Sequence, residues 1–383
     1  LANSARNDEI LAMWHKQAKG VRDTPTVRLL FSNFTAEVID PRMRCEGKEA
    51  RKLERQLLSS MVGRELFDDD TPLSDRFDVN VFLSGSPFGA RPNITKAKGS
   101  MGYHIEPVTD DIEEDFDLFL GGGFTVDMEG TKEWCALADS IFGDILPPRI
   151  MQASLKGAIT NPLVKLVNME TYYMSMYDCP EKLHELMDMA TKVYERYYDY
   201  LEENKLLLPT NGFSCLNQES FSFTDELPSE GEITSTKQVW GFLESQETTA
   251  VSPETYGEFV YPYFDRMVKR FGLLSYGCCE RVDNIWTDYL SKWDNLRKLS
   301  VSPFNNESLV GEYLRGTRVV YYSKPRAEYV TNPGPLDEDA IRRCFRDISR
   351  ASSGCLFEVA QREVGTIFGD YERGRRYVQL ARE

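Results

Sequence analysis

The chain has 383 residues, of which 41% are hydrophobic and 12% aromatic, enough to bury a sizeable core in one enlarged α/β domain. A net charge of −16 repels phosphate backbones and argues against a nucleic-acid partner. No apolar run approaches the roughly 18 residues of a membrane span, so none is predicted. The chain starts at Leu1, and residues 2–18 are polar and charged, without the apolar stretch of a signal peptide. Eight cysteines are scattered, with no spacing that suggests a disulfide framework. A reduced, cytoplasmic protein is the expectation.

In chain order, 26–31 reads as a strand, 50–61 as an amphipathic helix and 77–83 as a second strand. Residues 180–203 form a long helix with Leu183, Leu186, Met187, Ala190, Val193, Tyr194, Tyr197 and Leu201 at helical spacing. That tyrosine-rich stripe reads as core. The polar stretch 211–232, rich in Gly, Ser and Pro, is predicted to be a long loop over one face, a lid or substrate loop. Ser252-Pro253-Glu254 is an N-cap, a first-turn proline and an acidic first turn, opening a helix that runs through Met267. Strands are then predicted at 273–276, 299–302, 318–322 and 355–359. Helices are predicted at 282–293, 306–314, 337–350 and 370–382.

Short apolar strands alternating with helices point to a parallel sheet with crossover connections. Without a dinucleotide-binding glycine fingerprint, the expected fold is a (β/α)8 TIM barrel in a single domain. Residues 1–75 would be an N-terminal helical extension, about 76–383 the barrel, and the long loop would cover the barrel mouth.

In such a fold, chemistry sits at the C-terminal strand tips. Cys278, Cys279 and Glu280 follow the strand ending at Tyr276, and offer two soft ligands and a carboxylate at one tip. They are the predicted metal ligands, with zinc as the metal. Glu247, Tyr276, His104 and Glu358 are the predicted catalytic groups. Asn217, Ser302 and Lys324 are predicted to bind substrate or cofactor. Only three histidines exist. His15 and His184 lie on helices and read as packing residues. The run Asp68-Asp69-Asp70 reads as a solvated loop or cap.

Trp240-Gly-Phe-Leu-Glu-Ser-Gln-Glu247, Val251-Ser-Pro-Glu254, Tyr261-Pro-Tyr263, Tyr276-Gly-Cys-Cys-Glu280 and Val301-Ser-Pro303 resemble the uroporphyrinogen decarboxylase superfamily. The closer likeness is to its methyltransferase-like members from anaerobic bacteria. The resemblance extends upstream through Cys45-Glu46, Asp144-Ile-Leu-Pro147 and Thr224-Asp-Glu-Leu-Pro228, and so covers essentially the whole chain. It implies a TIM barrel. One branch decarboxylates a tetrapyrrole without a cofactor. Others are zinc-dependent enzymes that move a methyl group between a small-molecule donor or acceptor and a corrinoid (cobalamin) carried by a partner protein. The methyltransferases carry a His-x-Cys motif at this tip, where the chain has Tyr276 and Cys278. A later Lys-Asp-x-His run is here Arg362-Glu363-Val364-Gly365. The arginine motif of the decarboxylase branch is absent. The leading expectation is a corrinoid-linked methyltransferase, with a homodimer as a further possibility. The alternatives are a metal-free decarboxylase or lyase of a carboxylate, and a non-catalytic corrinoid-binding or ligand-binding homologue.

Overall fold

The computed structural model describes all residues except 24, 97–102 and 217–218. Its strands are β1 (Thr26–Leu29), β2 (Phe77–Asn80), β3 (Phe82–Ser86), β4 (Asn93–Lys96), β5 (Tyr103–Glu106), β6 (Gly123–Asp127), β7 (Pro148–Met151), β8 (Leu155–Lys156), β9 (Trp240–Leu243), β10 (Leu273–Tyr276), β11 (Leu296–Val301), β12 (Val320–Ser323) and β13 (Leu356–Gln361). A parallel seven-stranded sheet runs β1-β13-β12-β11-β10-β9-β8, with β2 paired to β7 beside it. Helices fill most of the crossovers, whereas the one between β10 and β11 holds only a 3₁₀ turn. Strands β9, β10 and β12 are buried along their whole length, as expected for a sheet covered on both faces.

The order is consistent with a (β/α)8 ring, and β1 pairs with β13 with Thr26 opposite Glu358. The backbone ladder is not a continuous eight-stranded ring among the described residues, because β2 and β7 pair apart from the seven. At the free edge of β1, side chains replace a neighbouring strand. Asp70 Oδ2 accepts from Val27 N at 2.8 Å, Asp69 Oδ2 accepts from Leu29 N at 3.2 Å, and Asp70 N donates to Val27 O at 2.9 Å. Asp69 and Asp70 are therefore buried strand braces rather than part of a solvated loop. Strand β1 belongs to the sheet, so the stretch 1–75 is more than a helical extension.

Three other expectations change. The predicted strand 77–83 is two strands. Phe77–Asn80 joins β7, and Phe82–Ser86 leaves to pair antiparallel with β6, forming an arm outside the sheet. The helix from Ser252 breaks at Val260 into Pro253–Phe259 and Tyr261–Val268, because Pro262 opens a new first turn. The predicted helix 282–293 is mostly turns. The Asn305 side chain takes the N–H groups of Val282 and Asp283, and only Leu290–Lys292 makes a 3₁₀ turn. The cap read from sequence at Ser252 holds, and Asn306, Asp337 and Asp370 likewise each accept a backbone N–H from the first turn of their helices.

The long loop lies at the opposite end from its predicted place. Phe221 and Phe223 pack with Trp14 of helix Ala5–Ala18, and Gln17 Nε2 donates to Phe357 O at 2.9 Å. Gln17 and Phe223 line a groove with Trp240, Arg297, Val320 and Leu356, residues at the starts of β9, β11, β12 and β13. Helix and loop thus plug the N-terminal end of the sheet and leave the C-terminal tips uncovered by it. Asn217 lies outside the described residues.

Candidate functional site at the strand tips

Beyond β10 the chain turns at Gly277, whose φ of +101° only glycine adopts readily, and whose missing Cβ would stand 3.1 Å from Ser300 Cβ. The turn brings the two thiols together, with Sγ atoms 3.7 Å apart. Neighbouring strands fix it. Ser300 Oγ and Lys324 Nζ donate to Cys278 O at 2.8 and 3.0 Å, and Ser302 Oγ donates to Cys279 O at 2.9 Å. Ser302 and Lys324 therefore meet the cysteines, as the sequence suggested.

The pair shares a proton unequally. The Cys278 thiol, bonded to Cys279 and buried, is pushed well up. That bond, helped by the Lys324 cation against the cost of burial, lowers Cys279 to about 7. Burial brings Lys324 down to about 8. Cys279, Ser302, Lys324, Arg362 and Glu363 line a recess of about 230 Å³.

Glu280 is a brace. Its Oε1 accepts from Ser245 N at 2.8 Å and its Oε2 from Cys278 N at 2.5 Å, tying the β9 and β10 tips together. Both oxygens are spent on backbone donors. With Glu280 engaged and no histidine nearby, two thiols remain, and among the described residues no three His, Cys, Asp or Glu side chains converge as a metal set. The residues present do not fit the zinc centre that the resemblance implies.

The remaining predicted groups are dispersed. Glu247 is buried just past β9, held by Thr160 Oγ1 and Asn161 Nδ2 at 2.7 Å each. Tyr276 is fully buried behind the tips, and its hydroxyl bonds Ser245 Oγ at 2.8 Å and Tyr256 OH at 3.1 Å. His104 is exposed on β5, opposite Thr95 on β4, and lines neither the 230 Å³ recess nor the larger cavity described next. Glu358 lies midway along β13 inside the sheet, paired with Lys298 Nζ at 2.9 Å, and not at a tip. Ser220 Oγ donates to the same Glu358 oxygen at 3.0 Å.

The larger cavity, about 550 Å³, opens beside the tips of β2, β7, β8 and β9, and its far walls are the β3–β6 arm and helix Pro180–Glu203. Its acid is Glu244, the first residue past β9, which the sequence reading passed over for Glu247. Glu244 is 6% exposed, and its one hydrogen bond among the described residues is from Gln246 N at 3.3 Å. Burial, with Glu247 and Glu280 close by, holds its carboxyl well above the usual range. The signal was available: position one past a parallel strand is where side chains reach a ligand. Tyr194 and Tyr197, read as core, also line this cavity.

No protein-family model matches the chain. No curated protein matches it either. Among solved structures, it superposes on a methyltransferase from Methanosarcina mazei with a TM-score of 0.56 over 97% of this chain and 98% of that one, at 12% identity. Among the described residues, no helix is long and apolar enough to cross a membrane. Over nearly its whole length the chain is similar in fold to a methyltransferase.

Proposed function

We propose that the chain is a methyltransferase whose barrel-ordered strand tips move a methyl group between a small molecule in the 550 Å³ cavity and a corrinoid carried by a partner protein. The observation that carries this reading is the cavity itself. It has small-molecule size, a largely apolar wall and one buried carboxyl, Glu244, at a strand tip. The heteroatom that loses the methyl becomes one charge more negative, and a buried carboxyl beside it can hold a cationic donor as the carboxylate or, protonated, hand a proton to the departing electron pair. The corrinoid is assigned to a partner docking over the tips, beside this cavity and the 230 Å³ recess. Cys279 and Lys324 border the second recess and can orient whatever approaches from that side. No step is assigned to zinc.

The test is anaerobic methylation of reduced cobalamin, or of a corrinoid protein, from a panel of methyl ethers, methylated amines and thioethers. Turnover from at least one donor is expected, falling about 100-fold in Glu244→Gln. Rates equal to the enzyme-free blank across the panel would remove the reading.

A further inference from the structure

The cavity's chemistry narrows what it holds. One wall is aromatic: the Phe124 ring packs 4.9 Å from Tyr194 and 5.0 Å from Tyr197, centroid to centroid. All three rings line the cavity with Glu244. The Tyr197 hydroxyl makes no hydrogen bond among the described residues. Ser154 Oγ, on the opposite wall, is buried with no partner among the described residues. Behind Glu244 stand Glu247 and Glu280, both buried carboxylates. Against these, Lys156 lines the cavity and Lys165 lies within electrostatic reach of Glu244. Lys165 is engaged by Asn161 Oδ1 at 2.6 Å, and Lys156 is exposed at the rim.

We propose that this cavity binds a small methylated ammonium, with its cationic head between the Phe124–Tyr194–Tyr197 wall and the Glu244 carboxylate. Aromatic faces attract an alkylated ammonium through their negative quadrupole and ask no hydrogen bond of it. The carboxylate supplies a counter-charge shielded from water. Ser154 and the Tyr197 hydroxyl are left for a polar substituent on the same molecule. A neutral ligand would satisfy the apolar wall but would gain nothing from Glu244 as a counter-charge. An anion would face Glu244, with Glu247 and Glu280 buried close to it.

Two consequences follow. Burial, with Glu247 and Glu280 close by, raises the Glu244 pKa in the free cavity, whereas an ammonium lowers it, so binding expels a proton at pH values between the two. As a methyl donor, and here the inference rests on the methyltransferase reading, the ammonium loses its charge in the reaction. The N–C bond breaks with its electron pair kept on nitrogen, the acceptor supplies the pair for the new bond, and a neutral tertiary amine remains. The product therefore loses the attraction that held the substrate.

Calorimetry with choline and with dimethylbutanol, its uncharged carbon isostere, tests the site without any turnover. Choline should bind about tenfold or more tightly than the isostere. Its binding heat in buffers of different ionisation enthalpy should report a proton released. In Glu244→Gln the preference should shrink towards one and the proton release should vanish, while the isostere binds as before. Tyr197→Leu, on a half-buried side chain, should weaken choline more than the isostere. Both variants are checked for unchanged melting temperature. Equal affinities in the parent protein, no binding by either compound, or a preference untouched by both variants would overturn the proposal. Choline binding without methyl transfer to a corrinoid would leave this site standing and remove only the reaction.

Discussion

Replacing Lys298 by methionine should be among the most damaging single changes in the sheet. The Lys298 Nζ holds Glu358 Oε2 at 2.9 Å, Ser220 Oγ at 2.5 Å and Phe221 O at 2.7 Å, all in the interior. Burial lowers the lysine's pKa and the Glu358 charge opposes that. Glu358 is fully buried, and its Oε1 already has no partner among the described residues. In Lys298→Met the carboxylate would keep the Ser220 hydroxyl alone. Stranding a buried charge this way costs about 3–5 kcal/mol, a large share of the roughly 5–15 kcal/mol that holds a typical domain. The orphaned Phe221 carbonyl adds about 1 kcal/mol. Lys298→Met/Glu358→Leu removes both charges and fills the space, and should recover most of the loss. Urea unfolding with a constant slope reads both variants. A single variant within about 1 kcal/mol of the parent, or a double variant no more stable than the single, would refute this account of the pair.

Cys279 should alkylate far faster than Cys278, with a rate that climbs as pH rises through about 7, since the thiolate is the nucleophile. Cys278→Ala and Lys324→Met should each move that midpoint upward, because each removes a group that favours the thiolate. Mass spectrometry of iodoacetamide-treated protein across pH checks this. Gly277→Ala should cost about 1–3 kcal/mol, from a φ of +101° and a Cβ only 3.1 Å from Ser300. Chemical denaturation measures it, and a neutral result would mean the turn relaxes freely.

The second half of the fold was legible because its strands are continuous apolar runs bounded by helix caps, signals that lie within a few residues of each other. Strands at 273–276 and 320–323 and the helices closing at Ala351 and Arg382 follow from them. Which end of the sheet a segment serves is a different kind of fact. Residues 211–232 are polar in composition, but Phe221 and Phe223 are claimed by Trp14, some two hundred residues earlier. Glu358 sits mid-strand because its register is set by Thr26 and Tyr322 on either side, neither of them near it in sequence. At the site, Cys279, Ser302 and Lys324 were found because each follows a strand. Glu280 was misread because a carboxylate engaged by two backbone N–H groups looks, in sequence, the same as a free one.

The pairing of Thr26–Leu29 with Leu356–Gln361 joins two strands more than three hundred residues apart. During synthesis β1 emerges early and has no β13 to meet until almost the whole chain is made. Its Asp69 and Asp70 braces come soon after, so one edge can be satisfied locally while the other stays open. The apolar faces beneath that edge are exposed for most of translation, a window in which aggregation competes with folding. Closure is then a late event governed by non-local contact. Truncation anywhere before β13 removes more than a terminal helix: it leaves the first strand of the sheet without the partner it was made to wait for.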